Sequence, residues 1–393
     1  MLNMHINVGI LQNLSNYKIL NTIRLKLSGG VVHLNPNIGA IGNVLLSYTT
    51  LPFITKKHVL DSHTNRWECR EIAHLFLKRG YTVDVINWEN TSFIPKKKYD
   101  FFFDIHKNME RLAPLLNKDC IKILHLTGSE ARFQNKAEME RLLNLEKRRG
   151  VKLKPRRQVE LTDPVVYADY ISLLGNKTTE STYNFKNANP CSIPLSTTHT
   201  YPSPENKNLK SAKKNFIWFG GVGAVHKGLD LVLEAFVKMP EFNLTVMGKT
   251  SNEKDFAEEY TRELYDTINI NYVGFIDPGS PEFKNIINSS MGIVYPSSSE
   301  GQSGAVITAM HAGLIPIISE NSGVNVEDFG ILLKKNTVEE IQEAVEKIAS
   351  TPEDELKKKA LGAWAYAREH HTRERFSKEY DAFIESLIKK NGK

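Results

Sequence analysis

The sequence predicts an α/β protein made of two doubly wound, Rossmann-like domains facing each other across a cleft, with a closing helical segment packed back on the body. Three observations carry this expectation. Strand, helix, glycine and strand follow one another in both halves of the chain, the pattern of βαβ units and hence of parallel sheets. Residues 187–214, rich in Asn, Pro, Ser, Thr and Lys and containing Pro190, Pro194, Pro202 and Pro204, separate the two halves as a linker would. A chain of 393 residues has room for two domains of ordinary size. The boundary is placed at 205/206, giving an N-terminal domain over 1–205, with a leader over 1–42, and a C-terminal domain over 206–393 with closing helices.

In order, the leader has no strong period, although Tyr17, Ile19, Leu20, Ile23, Leu25 and Leu27 alternate with Lys18, Arg24 and Lys26. An interfacial segment and a piece packed along its own domain are both open readings. The first strand is expected at Asn43–Tyr48. A helix follows from Ser62, with Ser, Thr or Asn as N-cap, Ile72, Leu75 and Phe76 inward, and Gly80 as its stop. Further strands are expected at Tyr81–Asn87, Tyr99–Ile105, Ile121–Leu126 and Asp169–Leu174. Helical spacing marks Ala137–Arg149, with Met139, Leu142, Leu143 and Leu145 inward, and a short helix at Asn176–Tyr183.

In the second half, strands are expected at Phe216–Phe219, Phe242–Met247, Ile270–Val273, Met291–Tyr295, Leu314–Ile318 and Gly330–Leu333. Helices fall between them at Lys227–Lys238, Lys254–Asp266, Glu282–Ser289, Gly304–Ala312 and Val338–Ser350. Trp364, Tyr366, Phe376, Tyr380, Phe383 and Leu387 make the closing helices too aromatic for a free surface.

Composition narrows the function. Lysine and arginine number 51 against 45 acids, a net +6 that suits anionic ligands without the strongly basic character of a nucleic-acid binder. Cys69, Cys120 and Cys191 lie far apart with no C-x-x-C, as expected of buried thiols in a reducing compartment. No apolar run reaches a membrane span, since His311, Gly313 and Pro316 interrupt Gly304–Ile318, and a cytoplasmic location is expected. Seven cations between Lys147 and Arg157 form a stiff basic loop, read as a solvated face or as a contact for phosphate or lipid headgroups at the inner face of a membrane.

Two turns of the second half carry the chemistry. The first is G-G-V-G-A-V-H-K-G-L-D, Gly220 to Asp230. Its glycines let backbone N–H groups approach a ligand, and Lys227 at a helix start adds a positive charge, a combination suited to a diphosphate. It is neither a Walker A loop nor a dinucleotide G-x-G-x-x-G motif. The second is Ser297–Gly304, S-S-S-E-G-Q-S-G, at the carboxyl edge of a strand before a helix. Glu300 there either complements the helix dipole or accepts hydrogen bonds from hydroxyls of a neutral ligand such as a sugar. Both turns would open into one crevice. In the first half, the turn at His63–Asn65 is a binding candidate by position, while His106 and His125 sit at or in strands as lone histidines.

The stretch F-I-W-F-G-G-V-G-A-V-H-K-G-L-D-L-V-L-E-A-F, about seventy residues before S-S-S-E-G-Q-S-G-A-V-I-T-A-M-H-A-G-L-I-P-I, resembles the donor-binding half of family 4 retaining glycosyltransferases of the GT-B fold. The resemblance covers residues 215–348 well, and the first half only in layout. It implies a transfer of a sugar from a nucleotide-diphosphate donor to a glycan or lipid-linked acceptor, without cofactor or metal. It places diphosphate binding on Lys227, the donor sugar on Glu300, and sugar and phosphate on the backbone of Gln302, Ser303, Gly304 and Ala305. Gly220, Gly221, Gly223, His226, Gly274, Phe275, Gly301 and Thr308 complete the implied donor site. His106 resembles the residue that approaches the transferred sugar, with His125 as second choice, and His63, Asn65 and His125 form the acceptor side. The sequence departs from the family where a second glutamate is usual, at Thr308, and where an arginine is usual, at Gly221 or Val222. A non-catalytic nucleotide-sugar binder and a nucleotide-sugar epimerase or phosphorylase on the same scaffold are the alternatives.

Overall fold

A computed structural model describes residues 25, 29–37, 39–55, 57–185 and 189–392. Of the leader, Tyr17, Ile19, Leu20, Ile23 and Leu27 lie outside the described residues, whereas Val31–Leu34 is a strand that sequence reasoning did not assign.

The first sheet holds β1 (Val31–Leu34), β2 (Gly42–Tyr48), β3 (Tyr81–Asn87), β4 (Phe101–Asp104), β5 (Ile121–Leu126), β6 (Tyr170–Leu174) and β7 (Cys191–Ile193). Their order is β1-β3-β2-β4-β5-β6-β7, with β1 antiparallel to β3 and the rest parallel. The second sheet holds β8 (Asn215–Gly220), β9 (Asn243–Gly248), β10 (Ile270–Gly274), β11 (Gly292–Tyr295), β12 (Ile315–Ser319) and β13 (Ile331–Leu333). It is parallel throughout, in the order β10-β9-β8-β11-β12-β13. Central strands read as continuous apolar runs because both faces are covered: Val44, Leu45 and Leu46 of β2 are fully buried, as are Ile293 and Val294 of β11.

Strand order fixes where ligands can bind. The first sheet reverses direction of growth between β2 and β4, the second between β8 and β11. A doubly wound sheet opens its ligand crevice outside the carboxyl ends of the strands at such a reversal. The segments leaving β2 and β4 carry His63 and His106, and those leaving β8 and β11 carry Lys227 and Glu300.

Five helices bear on the site: α1 (Thr64–Lys78), α2 (Ala131–Arg149), α3 (Leu229–Val237), α4 (Gly304–His311) and α5 (Arg373–Asn391). The side chain of His63 caps α1, and α2 begins six residues earlier than its leucine spacing suggested, capped by Glu130. Met139 and Leu143, expected inward, are exposed, whereas Glu138 and Arg141 are buried. Leu142 and Leu145 face inward as expected, and beside them Glu138 accepts from the Arg156 and Arg157 amides while Arg141 donates to the Pro296 carbonyl of the second domain.

The chain crosses between the domains twice. The expected linker is not plain coil, since β7 lies within it and extends the first sheet. After the C-terminal sheet, α5 returns to the N-terminal domain. Phe376, Tyr380, Phe383, Ile384 and Leu387 of α5 are buried, each contributing on the order of 1.5–3 kcal/mol. Arg79 pairs with Asp381 at 2.7 Å and Ser377 donates to Glu71. The two crossings touch: His371, just before α5, bonds the carbonyl of Leu195 through Nδ1 at 3.1 Å. Cys69 and Cys120 are buried and Cys191 is half-buried. Among the described residues no helix is long and apolar enough to cross a membrane.

Candidate functional site

The two turns expected to form one site are stitched together. Gly228 adopts φ +75°, and a Cβ there would lie 2.5 Å from Pro296, so the glycine turn packs directly on the turn after β11. The carbonyl of His226 accepts from the Ser298 amide at 2.8 Å, and His226 Nε2 bonds the Ser299 carbonyl at 2.8 Å. Burial pushes the His226 pKa down to about 4. This histidine is therefore a neutral tie between the turns.

Lys227 and Glu300 meet at the centre. The ammonium donates to Glu300 Oε1 at 2.5 Å and to the Tyr295 hydroxyl at 2.9 Å. Glu300 also accepts from Tyr295 at 3.0 Å and Ser297 at 3.2 Å. Burial raises the cost of both charges, yet their attraction outweighs it. Glu300 is held at about 2, with Arg157 and His226 adding to the effect of Lys227. The Lys227 pKa rises, Glu300 and Tyr295 outweighing desolvation. The carboxylate and the ammonium are both ionised at neutral pH.

The expected donor contacts divide. Ser303 caps α4, accepting from the Val306 amide at 3.5 Å, and leaves the helix N-terminus at the crevice. Gln302 accepts from the Leu195 amide at 2.8 Å, so its side chain holds the first crossing. Thr308 is buried and donates to the Gly304 carbonyl at 2.7 Å, turning its hydroxyl into its own helix. Gly301 is enclosed: a Cβ there would meet the carbonyls of Thr127 at 2.5 Å and Leu174 at 2.7 Å, across the domain interface. Ser129 and Thr179 of the first domain donate to the carbonyls of Glu300 and Gly301, each at 2.7 Å. Gly220 is buried against Trp218, and Ala305 is half-buried beside α4's start. Gly221 is exposed with open space around it, and Gly274, at φ +73°, and the exposed Phe275 flank the open end, where Lys249 lies 4.7 Å over the Phe275 ring.

One expectation about the glycine turn needs correction. The amides of Gly223 and Ala224 already donate to the carboxylate of Glu253, at 2.7 Å and 3.1 Å. Burial raises the Glu253 pKa, with the two amides and Arg156 acting against it. The sequence held no signal for this residue, which lies far along the chain after β9.

The first domain brings His63, at the N-terminus of α1, to the same region. His63 Nδ1 accepts from the Asn65 amide at 3.3 Å, which leaves the proton on Nε2 as a donor. Crowding by the protein, then Arg66, then Arg157 and Lys227 push its pKa down. His106 lies against the Trp88 ring, and Asp104 accepts from its amide at 3.1 Å. Burial lowers its pKa against the opposing pull of Glu160. His125 does not reach the crevice. It is fully buried among Tyr48, Phe103 and Tyr380, with Nδ1 2.9 Å from Ser172 and 3.1 Å from Tyr380. Burial pushes its pKa down to about 3, and it is a core residue.

The basic run is also reassigned. Arg148 pairs with Asp230 at 2.6 Å and Glu234 at 2.9 Å, Arg149 with Glu259 and Glu263 at 2.8 Å each, and Arg156 with Asp255. These arginines join the two domains. The reading of a solvated face fits the outward lysines, Lys152 among them, which pairs with Glu146 at 3.5 Å.

Residues 203–365 match the family of glycosyl transferases group 1. The C-terminal domain belongs to the group 1 glycosyl transferases. No curated protein sequence matches the chain. Among solved structures, sucrose-phosphate synthase from Thermosynechococcus elongatus is similar with a TM-score of 0.61 at 14% identity, over 88% of this chain and 98% of that one. A glycosyltransferase from Rickettsia africae aligns at 0.58 and 13%, over 90% and 99%. HepE from Anabaena, solved in complex with UDP and glucose, aligns at 0.56 and 13%, over 88% and 100%. At such identities the likeness is one of fold, and the fold is GT-B. In this glycosyl transferase domain, Lys227 and Glu300 occupy the two turns at the sheet's reversal, opposite the first domain.

Proposed function

We propose that the protein transfers a sugar from a nucleoside diphosphate donor to an acceptor hydroxyl. The observation that supports this is the convergence of Lys227 and Glu300 at 2.5 Å, within a group 1 glycosyl transferase domain, at the point where β8 and β11 diverge. Breaking a sugar–phosphate bond develops negative charge on the diphosphate. Lys227 and the free amides at the start of α4 stabilise that charge as an oxyanion hole does. Glu300, ionised and fixed, accepts hydrogen bonds from sugar hydroxyls on one side while steering Lys227 on the other. His63 and His106 border the crevice from the first domain, where His63 Nε2–H can donate to an acceptor or to a phosphate oxygen. Closure of two domains orients the reactants and keeps water from the donor.

The family resemblance supports the finer points: retention of configuration with the departing phosphate taking the acceptor's proton, no metal, and an acceptor that is a glycan or a lipid-linked sugar met at the inner face of a membrane. The test is a thermal-shift screen against uridine, guanosine, adenosine, cytidine and thymidine diphosphate sugars, followed by donor consumption with and without acceptor. One donor should raise the melting temperature and release its nucleoside diphosphate faster with acceptor present. No shift with any donor would overturn the proposal.

A second reading is favoured by two contacts: Glu253 fills the Gly223 and Ala224 amides, and the Thr308 hydroxyl is turned into its helix. On that reading the protein binds a nucleotide sugar without turning it over. Saturable binding with no product from any donor would establish it.

A further inference from the structure

We propose that Arg157, carried by the N-terminal domain, is the principal cation for the donor's diphosphate. The inference rests on the donor-binding reading above and adds a residue that neither the family match nor the two turns contain. It starts from the charges in the crevice. Lys227 is neutralised by Glu300 at 2.5 Å, and two amides of the glycine turn are taken by Glu253. Lys227 and the glycine turn alone therefore offer little net positive charge to a group carrying two or more negative ones.

Arg157 supplies what is missing. Its side chain lies across the glycine turn: a Cβ on Gly223 would come within 2.6 Å of Arg157 Cγ and 3.0 Å of Cδ. Gly223 adopts φ +97°, so both backbone and neighbour require glycine there. The guanidinium is near enough to act on Lys227, Glu300, His226 and His63. Arg148, Arg149 and Arg156 each hold a carboxylate of the second domain. Arg157, by contrast, enters no ion pair among the described residues, and it is exposed beside the glycine turn.

The position is built. Glu138, almost fully buried on α2, accepts from the Arg156 and Arg157 amides at 2.8 Å each, and Gln134 donates to the Arg157 carbonyl at 2.6 Å. The backbone is held while the planar fork stays free, the state in which an arginine recognises phosphate oxygens best. Because the residue belongs to the other domain from Lys227, a bound diphosphate draws the domains together.

The test is calorimetric titration of the full chain with uridine, guanosine, adenosine, cytidine and thymidine diphosphates, each paired with its parent nucleoside. Wild type is compared with Arg157→Ala, Arg157→Lys and, as a charge control, Lys152→Ala. With the diphosphate that binds, Arg157→Ala should weaken affinity about tenfold or more and flatten its salt dependence, Arg157→Lys should recover part, and Lys152→Ala should stay within about twofold. Binding of the nucleoside should not change. If wild type binds a diphosphate and Arg157→Ala matches Lys152→Ala, the inference is overturned while the donor reading stands. If wild type binds none of them, the donor reading falls and takes this inference with it.

Discussion

Removing Lys227 should destabilise the fold as well as the chemistry, and the size of the effect follows from Glu300. The carboxylate is buried, and its pKa drops from 4.5 to about 2, a difference equivalent to about 3 kcal/mol. That agrees with the roughly 3–5 kcal/mol expected when one partner of a buried ion pair is deleted. In Lys227→Ala the carboxylate keeps the Tyr295 and Ser297 hydroxyls but loses its ammonium. A depressed carboxylate pKa contributes stability that is fully present above 4.5 and lost as pH falls through about 2. The variant should therefore lose about 3 kcal/mol in urea unfolding at pH 7, and the deficit should shrink as pH falls below 4.5 and its own Glu300 takes up a proton. Lys227→Met combined with Glu300→Gln, which removes both charges, should recover most of the loss. A deficit under about 0.5 kcal/mol at pH 7, or one independent of pH, would refute the reasoning, since surface changes produce effects that small. Transfer by Lys227→Ala should fall on the order of a hundredfold or more.

Glu300→Gln should weaken use of the sugar donor and leave binding of the free nucleoside diphosphate nearly intact; calorimetry giving equal losses for both would contradict the sugar-facing role. Arg148→Ala strips the fully buried Asp230 of its 2.6 Å partner and should cost about 3 kcal/mol, read by urea unfolding, with a larger radius of gyration by X-ray scattering as the domains part. Glu68 is fully buried, and burial outweighs its two bonds from Ser196 to raise its pKa to about 7. The folded protein thus keeps a proton that the unfolded chain releases, and stability declines as pH rises from 4.5 to 7. Glu68→Gln should abolish that decline and be more stable at pH 8 by roughly 1–3 kcal/mol, measured by denaturation at several pH values.

Much of the fold was legible because its parallel strands are covered on both faces and read as plain apolar runs. β3 and β5 fall where their residues place them, Tyr81–Asn87 and Ile121–Leu126, and α1 differs from expectation only at its cap. That the turns of Lys227 and Glu300 lie together was legible for a topological reason, since two turns at one sheet's reversal share a crevice, but their ion pair was not. What the sequence concealed depends on tertiary partners. The helix α2 keeps Leu142 and Leu145 inward but also buries Glu138, under the Arg156 and Arg157 amides, and Arg141, against the Pro296 carbonyl, and leaves Met139 and Leu143 outside, because these partners lie elsewhere in the chain and spacing cannot reveal them. The run ending at Arg157 looked like solvated charge for the same reason. His125 was misjudged because a strand histidine gives no sign of the Tyr380 ring, 255 residues away, that encloses it. β7 was lost in a stretch of turn-forming residues, where only pairing with β6 makes Cys191–Ile193 a strand.

The contact between His371 and Leu195 has a mechanical meaning. Both connections between the lobes pass through one spot, so they act as a single pivot: the lobes can swing about it but cannot slide apart or twist freely. Any opening would have to break the ion pairs that Arg148 and Arg149 of α2 make with the second domain, whereas the aromatic seat of α5 lies within the first. On the donor-binding reading, entry and release of the donor would go through a swing about that spot.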